Sequence, residues 1–203
     1  MVTSLPNLLT LSRIVVIPLV IATFYVDGAT ARWAACGLFV VAAVTDWLDG
    51  YFARTRNQTS AFGRFLDPIA DKLLVAAVLF MLVAFDRVSS LSQLPALVIL
   101  LREILVSGLR EFLAEIRVGM PVTRLAKWKT GIQMVALPVL LVGDAGPPSL
   151  PVREIGEVCL WAAALLTLIT GWDYLQAGMK HLRADATATQ TDGKGGAQPR
   201  RAG

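Results

Sequence analysis

Asp46, Asp49, Asp67 and Asp71 stand in the stretch DWLDGYFARTRNQTSAFGRFLDPIAD, at positions 46–71. At 100° per residue, Asp46, Asp49, Gly50 and Ala53 share one narrow sector of a helix, and Asp67 and Asp71 lie one turn apart on the next. A tight connection, with Gly63 turning or packing closely, brings the two faces together. Four ionised carboxylates facing one another repel unless cations lie between them. Hard oxygen donors suit Mg²⁺ or Mn²⁺, and two divalent ions neutralise four negative charges. Asp46, Asp49, Asp67 and Asp71 are therefore candidate metal ligands. Gly50 and Ala53 have almost no side chain, so a ligand can lie against the helix backbone there. Two metals beside such a shelf suit a diphosphate carrying a base or sugar. Two plainer readings exist. Asp67 followed by Pro68 has the form of a helix N-cap with proline at N1, and Gly50 with Ala53 has the form of a helix-packing face. Neither accounts for Asp46, Asp49 and Asp71 together.

The elements that must hold these residues are unusually apolar. The chain has 203 residues, 55% of them hydrophobic and only 17% charged, with a mean hydropathy of +0.61. A soluble domain carries roughly 25% charged residues. This balance predicts an all-α, polytopic membrane protein of one domain. Apolar segments at about 8–26, 33–53, 68–85, 94–112, 130–143 and 154–177 predict six transmembrane helices. The first has no basic leader and is too long for a signal-peptide core, so it reads as a retained helix. Residues 1–180 form the membrane domain. The remainder, 181–203, has almost nothing to bury and is expected to be a disordered cytoplasmic tail. Cys36 and Cys159 fall inside apolar runs and read as small fillers rather than a disulfide.

Charge placement sets the orientation. Of the 19 Lys and Arg residues, only Arg32, Arg87 and Arg153 fall on one side, Arg102 lies within a segment, and the rest gather on the other side. The positive-inside rule makes that richer side cytoplasmic, with both termini and all four aspartates. The formal charge of +4 then reflects topology, and no nucleic-acid partner is expected. A carboxylate at bilayer depth costs roughly 2.5–3.5 kcal/mol on insertion scales, so intramembrane charge signals function. Arg102 and Glu103 meet that description on the fourth segment. As sequence neighbours on a helix they are not expected to face each other. Arg110, Arg124, Lys127 and Lys129 collect at the cytoplasmic end. Arg102, Arg110, Lys127 and Lys129 are the candidate pocket for a phosphate monoester on an acceptor. Asn7, Thr10 and Arg13 share helical spacing on the first segment, where nucleotide or headgroup contact competes with helix capping plus an interfacial arginine.

The pattern D-x2-D-G-x2-A-R-x8-G-x3-D-x3-D is met in full by Asp46, Asp49, Gly50, Ala53, Arg54, Gly63, Asp67 and Asp71. In this the chain resembles the CDP-alcohol phosphotransferase family. The resemblance implies that family's fold of six membrane helices, a homodimer, a metal-dependent site facing the cytoplasm, and Asp71 as general base on the acceptor hydroxyl. Gly50, Ala53, Arg54, Gly63, Asn7 and Thr10 are the candidate contacts of the CDP moiety, with Arg54 on a phosphate or a carboxylate. The runs PNLLTLSRIVVIP (6–18), VTDWLDGYFAR (44–54), LREILVSGLREFLAE (101–115) and KWKTGIQMVAL (127–137) are similar to the bacterial branch that uses glycerol 3-phosphate as acceptor and CDP-diacylglycerol as donor. That closer likeness implies a multi-pass protein of the bacterial inner membrane. Inositol phosphate and phosphatidylglycerol are the alternative acceptors.

Other classes fit less well. The only histidine, His181, lies beyond the last segment and reads as interfacial, which excludes a transfer through a histidine pair. A divalent-cation transporter would spread carboxylates through both halves of the bilayer, and no inverted repeat of the aspartate motif is present in the second half.

Overall fold

The computed structural model describes residues 5–56, 61–115 and 124–194. They form six α-helices: α1 (Leu5–Thr23), α2 (Ala29–Arg56), α3 (Ala61–Ala84), α4 (Gln93–Glu115), α5 (Arg124–Val142) and α6 (Val152–Lys194). Short 3-10 turns at Ser90–Ser92 and Gly143–Ala145 lead out of the connections before α4 and α6. The all-α class expected from the sequence is what the chain adopts.

The apolar segments became helices, and α1 and α5 do so around an internal proline, Pro18 and Pro138. Interhelical packing satisfies the chain in the way a bilayer demands. Val20, Phe39, Val78, Leu82, Ile99, Leu137, Leu140 and Leu160 are fully buried between helices. Large apolar side chains such as Val41, Phe80, Ile104, Val158 and Leu165 point outward. Thr10, Arg13, Lys129, Gln133, Thr167 and Thr170 are buried inside. Polar groups within and an apolar exterior suit a protein whose surroundings are lipid. α6 lies against α4 and α5, α2 against α1 and α5, and α3 against α1. α5 and α6 approach closely because Gly156 has no side chain; a Cβ there would meet Leu140 Cδ2 at 2.7 Å.

Three stretches are long and apolar enough to cross a membrane among the described residues: Ala29–Asp46, Arg124–Ala145 and Val152–Gln176. Thr10–Thr23 is a shorter apolar stretch. The sequence predicts six spans; six helices form among the described residues, and three of them are long and apolar enough to cross by this measure. α3 carries Asp67, Asp71 and Lys72 in its first half, and α4 carries Arg102, Glu103, Arg110 and Glu111, so the site's own charges shorten their apolar runs. α1 stops at Thr23 rather than Val26, with Phe24–Val26 forming a turn. α6 runs on to Lys194, through the first part of the stretch 181–203 that was expected to be disordered. From His181 to Asp192 there is neither Gly nor Pro to stop the helix, and Ala184, Ala186 and Ala188 support its continuation.

The end carrying the connections after α1, α3 and α5 is closed by polar latches. The Glu157 carboxylate accepts from Ser89 N (2.7 Å), Ser89 Oγ (2.6 Å) and Ser92 Oγ (2.6 Å), and from Arg153 Nε at 3.4 Å. Trp33 Nε1 donates to the Ala145 carbonyl at 3.2 Å, and the Arg87 guanidinium sits 4.1 Å from the Phe24 ring centroid. These contacts leave the opposite end of the bundle as the place where it opens.

Candidate active site

At that opposite end a cavity of about 780 Å³ is walled by α3, α4, α5 and α6. α3 contributes Asp71 and Lys72. α4 contributes Arg102, Glu103, Ser107 and Arg110, spaced along one helical face. α5 enters the wall at its first turns with Lys127 and Lys129, and α6 adds Tyr174. The candidate base and all four candidate acceptor-phosphate cations, which the sequence places on three separate segments, therefore line one space. Arg124 is exposed at the start of α5 and is not part of the wall.

The cations are held by a network. Lys129, only 4% exposed, donates to the Glu103 carboxylate. Arg102 Nη1 lies 3.3 Å from the same Glu103 oxygen, and Arg102 Nη2 lies 3.4 Å from Thr170 Oγ1. The Arg102 guanidinium also stands 5.7 Å from the Tyr174 ring centroid. Arg102 and Glu103 do meet, against the expectation from their adjacency. The arginine's long side chain reaches around the helix to its neighbour. Gly171 makes room for it, since a Cβ there would meet Arg102 Cγ at 3.2 Å and Nε at 3.7 Å. A charged residue in this position needs such partners, because an unpaired buried ion is costly.

Arg13 of α1 donates to Asp46 of α2. Arg13 is 1% exposed and Thr10 equally buried, so Arg13 is an internal partner of the aspartate motif rather than an interfacial arginine. Asp71 lies within electrostatic range of Asp46, Arg13, Glu103 and Lys72. The N-cap reading of Asp67 and Pro68 does not hold, because α3 begins at Ala61 and both residues stand inside it. The side chains of Asn7, Asp49, Gly50, Ala53, Arg54, Gly63 and Asp67 lie outside the described residues, although their backbone is helical.

Asp46 and Asp71 supply hard carboxylate oxygens from successive helices, which is donor chemistry suited to Mg²⁺ or Mn²⁺. Among the described residues no three His, Cys, Asp or Glu side chains are gathered closely enough to hold an ion. Asp49 and Asp67, one turn from Asp46 and Asp71 along the same helices, are the further donors the sequence offers.

Sequence reasoning missed Tyr174, Thr170 and Gly171, since α6 reads as an apolar span. Its signal was the T-x2-TG-x2-Y spacing at 167–174, three polar or aromatic positions on one helical face with a glycine beside them.

Residues 3–169 match the family model for CDP-alcohol phosphatidyltransferase. The chain is 49% identical over 178 residues to a protein of Rickettsia felis, covering 88% of this chain and 97% of the relative. It is 51% identical over 174 residues to one of Rickettsia typhi, covering 86% and 96%. It is 44% identical over 186 residues to one of Pseudomonas fluorescens, covering 90% and 93%. All three relatives are named CDP-diacylglycerol--glycerol-3-phosphate 3-phosphatidyltransferase. The aspartate motif, the helical bundle and these matches agree, and the chain belongs to the CDP-alcohol phosphatidyltransferase family.

Proposed function

We propose that this chain transfers the phosphatidyl group of CDP-diacylglycerol to the primary hydroxyl of sn-glycerol 3-phosphate, giving phosphatidylglycerophosphate and CMP. The observation that carries the reading is the single cavity in which Asp71 stands with Arg102, Arg110, Lys127 and Lys129. An acceptor with one hydroxyl to deprotonate and one phosphate to hold needs that combination. An acceptor without a phosphate has no use for four cations.

Arg110 and Lys127, exposed at the cavity mouth, draw the dianionic acceptor in, and Lys129 and Arg102 hold its phosphate deeper in the wall. Asp71 accepts the proton of the free primary hydroxyl. The oxygen so activated bonds to the lipid-side phosphorus, and the bond from that phosphorus to the bridging oxygen of CMP breaks. Asp46, Asp49, Asp67 and Asp71 would hold two ions, Mg²⁺ or Mn²⁺, which would neutralise charge on the diphosphate. A carboxylate gripped tightly by metal is a poor base, so Asp71 would act as base with only a weak or transient metal contact. Arg13 fixes Asp46 from α1. Gly50, Ala53, Arg54 and Gly63, with Asn7 and Thr10, are assigned to the CDP moiety. Positioning and charge neutralisation supply most of the rate in phosphoryl transfer.

The reading includes a homodimer in the bacterial inner membrane, with both termini and the site cytoplasmic, as the asymmetry of Lys and Arg supports. Residues 1–180 are the catalytic membrane domain and 181–203 a tail outside it. Release of CMP from CDP-diacylglycerol in detergent, measured acceptor by acceptor, tests the assignment. Glycerol 3-phosphate gives the fastest release; a faster rate with inositol phosphate or phosphatidylglycerol overturns it.

A further inference from the structure

The cavity wall contains a carboxylate that the transfer reaction does not require. Glu103 is no acid or base in the scheme above, and it lies among cations meant for a phosphate. A bare anion there should weaken acceptor binding. Its contacts explain its presence. One Glu103 oxygen takes both Lys129 Nζ and Arg102 Nη1, the latter at 3.3 Å, so a side chain from α4 ties together a cation of α5 and another of α4. Lys129 is 4% exposed and has three N–H donors, one of which is spent on Glu103; the others remain for a ligand. Arg102 is braced from behind by Thr170 Oγ1 at 3.4 Å and by the Tyr174 ring at 5.7 Å, over the space left by Gly171.

We propose that Glu103 is a positioning residue for the acceptor: its carboxylate fixes Lys129 and Arg102 at one spacing on the cavity wall, with α6 as the backstop. The inference rests on the reading of this cavity as the acceptor pocket. A flexible lysine and a flexible arginine lose side-chain freedom whenever they bind a ligand. Glu103 orders both in advance, so the phosphate meets a preformed pair of cations. Free-standing cations at the same place would attract the phosphate without orienting its hydroxyl towards Asp71.

The test compares kinetic constants for both substrates in Glu103→Gln, Glu103→Asp and Lys129→Gln, with the full chain in detergent. Glu103→Gln raises KM for glycerol 3-phosphate about tenfold, the loss of one charge-assisted hydrogen bond. It leaves KM for CDP-diacylglycerol and kcat at saturating acceptor within about threefold of the parent. Glu103→Asp keeps the charge but is one methylene shorter, and recovers part of the acceptor KM. A purely structural glutamate would instead lower kcat and both substrates' affinities alike, with no rescue by aspartate, and that result overturns the proposal. If Lys129→Gln leaves the acceptor KM unchanged, the pocket reading itself fails. If Lys129→Gln raises it and Glu103→Gln does not, only the role of Glu103 fails. Should Glu103→Gln not fold, Gly171→Ala probes the same seat from α6. Displacing Arg102 by a few tenths of an ångström raises the acceptor KM several-fold and spares that for CDP-diacylglycerol; an unchanged acceptor KM counts against the proposal.

Discussion

Lys129→Gln is the substitution whose consequences follow most directly from the geometry. Lys129 is buried at the first turns of α5, donates to Glu103, and lines the cavity beside Asp71. Glutamine keeps most of the length and can still donate to Glu103 through its amide, while the positive charge is removed. Glu103 is not stranded, because Arg102 remains 3.3 Å from its carboxylate. Stability should therefore change little, and the melting temperature in detergent should stay within a few degrees. What disappears is a charge-assisted contact to the acceptor phosphate, worth about 1.5–3 kcal/mol. At 1.36 kcal/mol per decade that corresponds to a loss of roughly 10- to 150-fold in kcat/KM for glycerol 3-phosphate. The phosphate is held in ground and transition states alike, so the loss falls mainly on KM. The assay is CMP release at saturating CDP-diacylglycerol with glycerol 3-phosphate varied. An acceptor KM within twofold of the parent would refute the assignment of Lys129 to the phosphate, as would a loss confined to kcat.

Other consequences are open to measurement. Asp71→Asn removes the proton acceptor but preserves shape, so turnover falls below detection while CDP binding, followed by calorimetry in detergent, is largely retained; measurable turnover removes Asp71 from the role of base. Glu157→Ala removes the acceptor shared by the Ser89 N–H and both serine hydroxyls at the far end of the bundle, leaving Ser89 Oγ and the buried Ser92 Oγ only each other at 3.0 Å, and lowers stability by about 1–3 kcal/mol in thermal unfolding. Because that latch is remote from the cavity, the activity of the folded fraction is unchanged, and a selective loss of kcat would show that the two ends are coupled. Arg13→Gln leaves Asp46, whose side chain is 42% exposed, within reach of water, whereas Asp46→Ala leaves the 1% exposed Arg13 without that carboxylate. Asp46→Ala is therefore the more destabilising of the two in thermal unfolding, by about 1–3 kcal/mol.

Much of the site was legible in the sequence because its chemistry is expensive in lipid. Asp46 and Asp71, Arg102 and Lys129 stand out where apolar residues are the rule, and helical spacing assigns them to one end of the bundle. Asp71, Arg102 and Lys129 meet in one cavity, whereas Asp46 is held by Arg13 outside its wall. The rest depended on facts that spacing does not carry. Adjacent residues point to different faces of a helix, yet the flexible stem of Arg102 brings its guanidinium back to Glu103. Thr170, Gly171 and Tyr174 read as filler in an apolar span, and only the packing of α6 against α4 makes them a seat. Asp67-Pro68 has the local signature of a helix start, but α3 had already begun at Ala61, so tertiary context overrode capping preference. Spacing left Arg13 open between a ligand contact and an interfacial position; its burial against the Asp46 carboxylate rules out the interfacial one.

The proposed reaction requires divalent cations on the carboxylates of α2 and α3, next to a cavity that takes glycerol 3-phosphate. Its most direct test is CMP formation by the purified protein from CDP-diacylglycerol, with the acceptor supplied or withheld and with Mg²⁺ present, chelated, or restored after chelation. CMP should form only when acceptor and metal are both present, with full recovery on restoring the ion. CMP formation that survives chelation, or that does not depend on glycerol 3-phosphate, contradicts it.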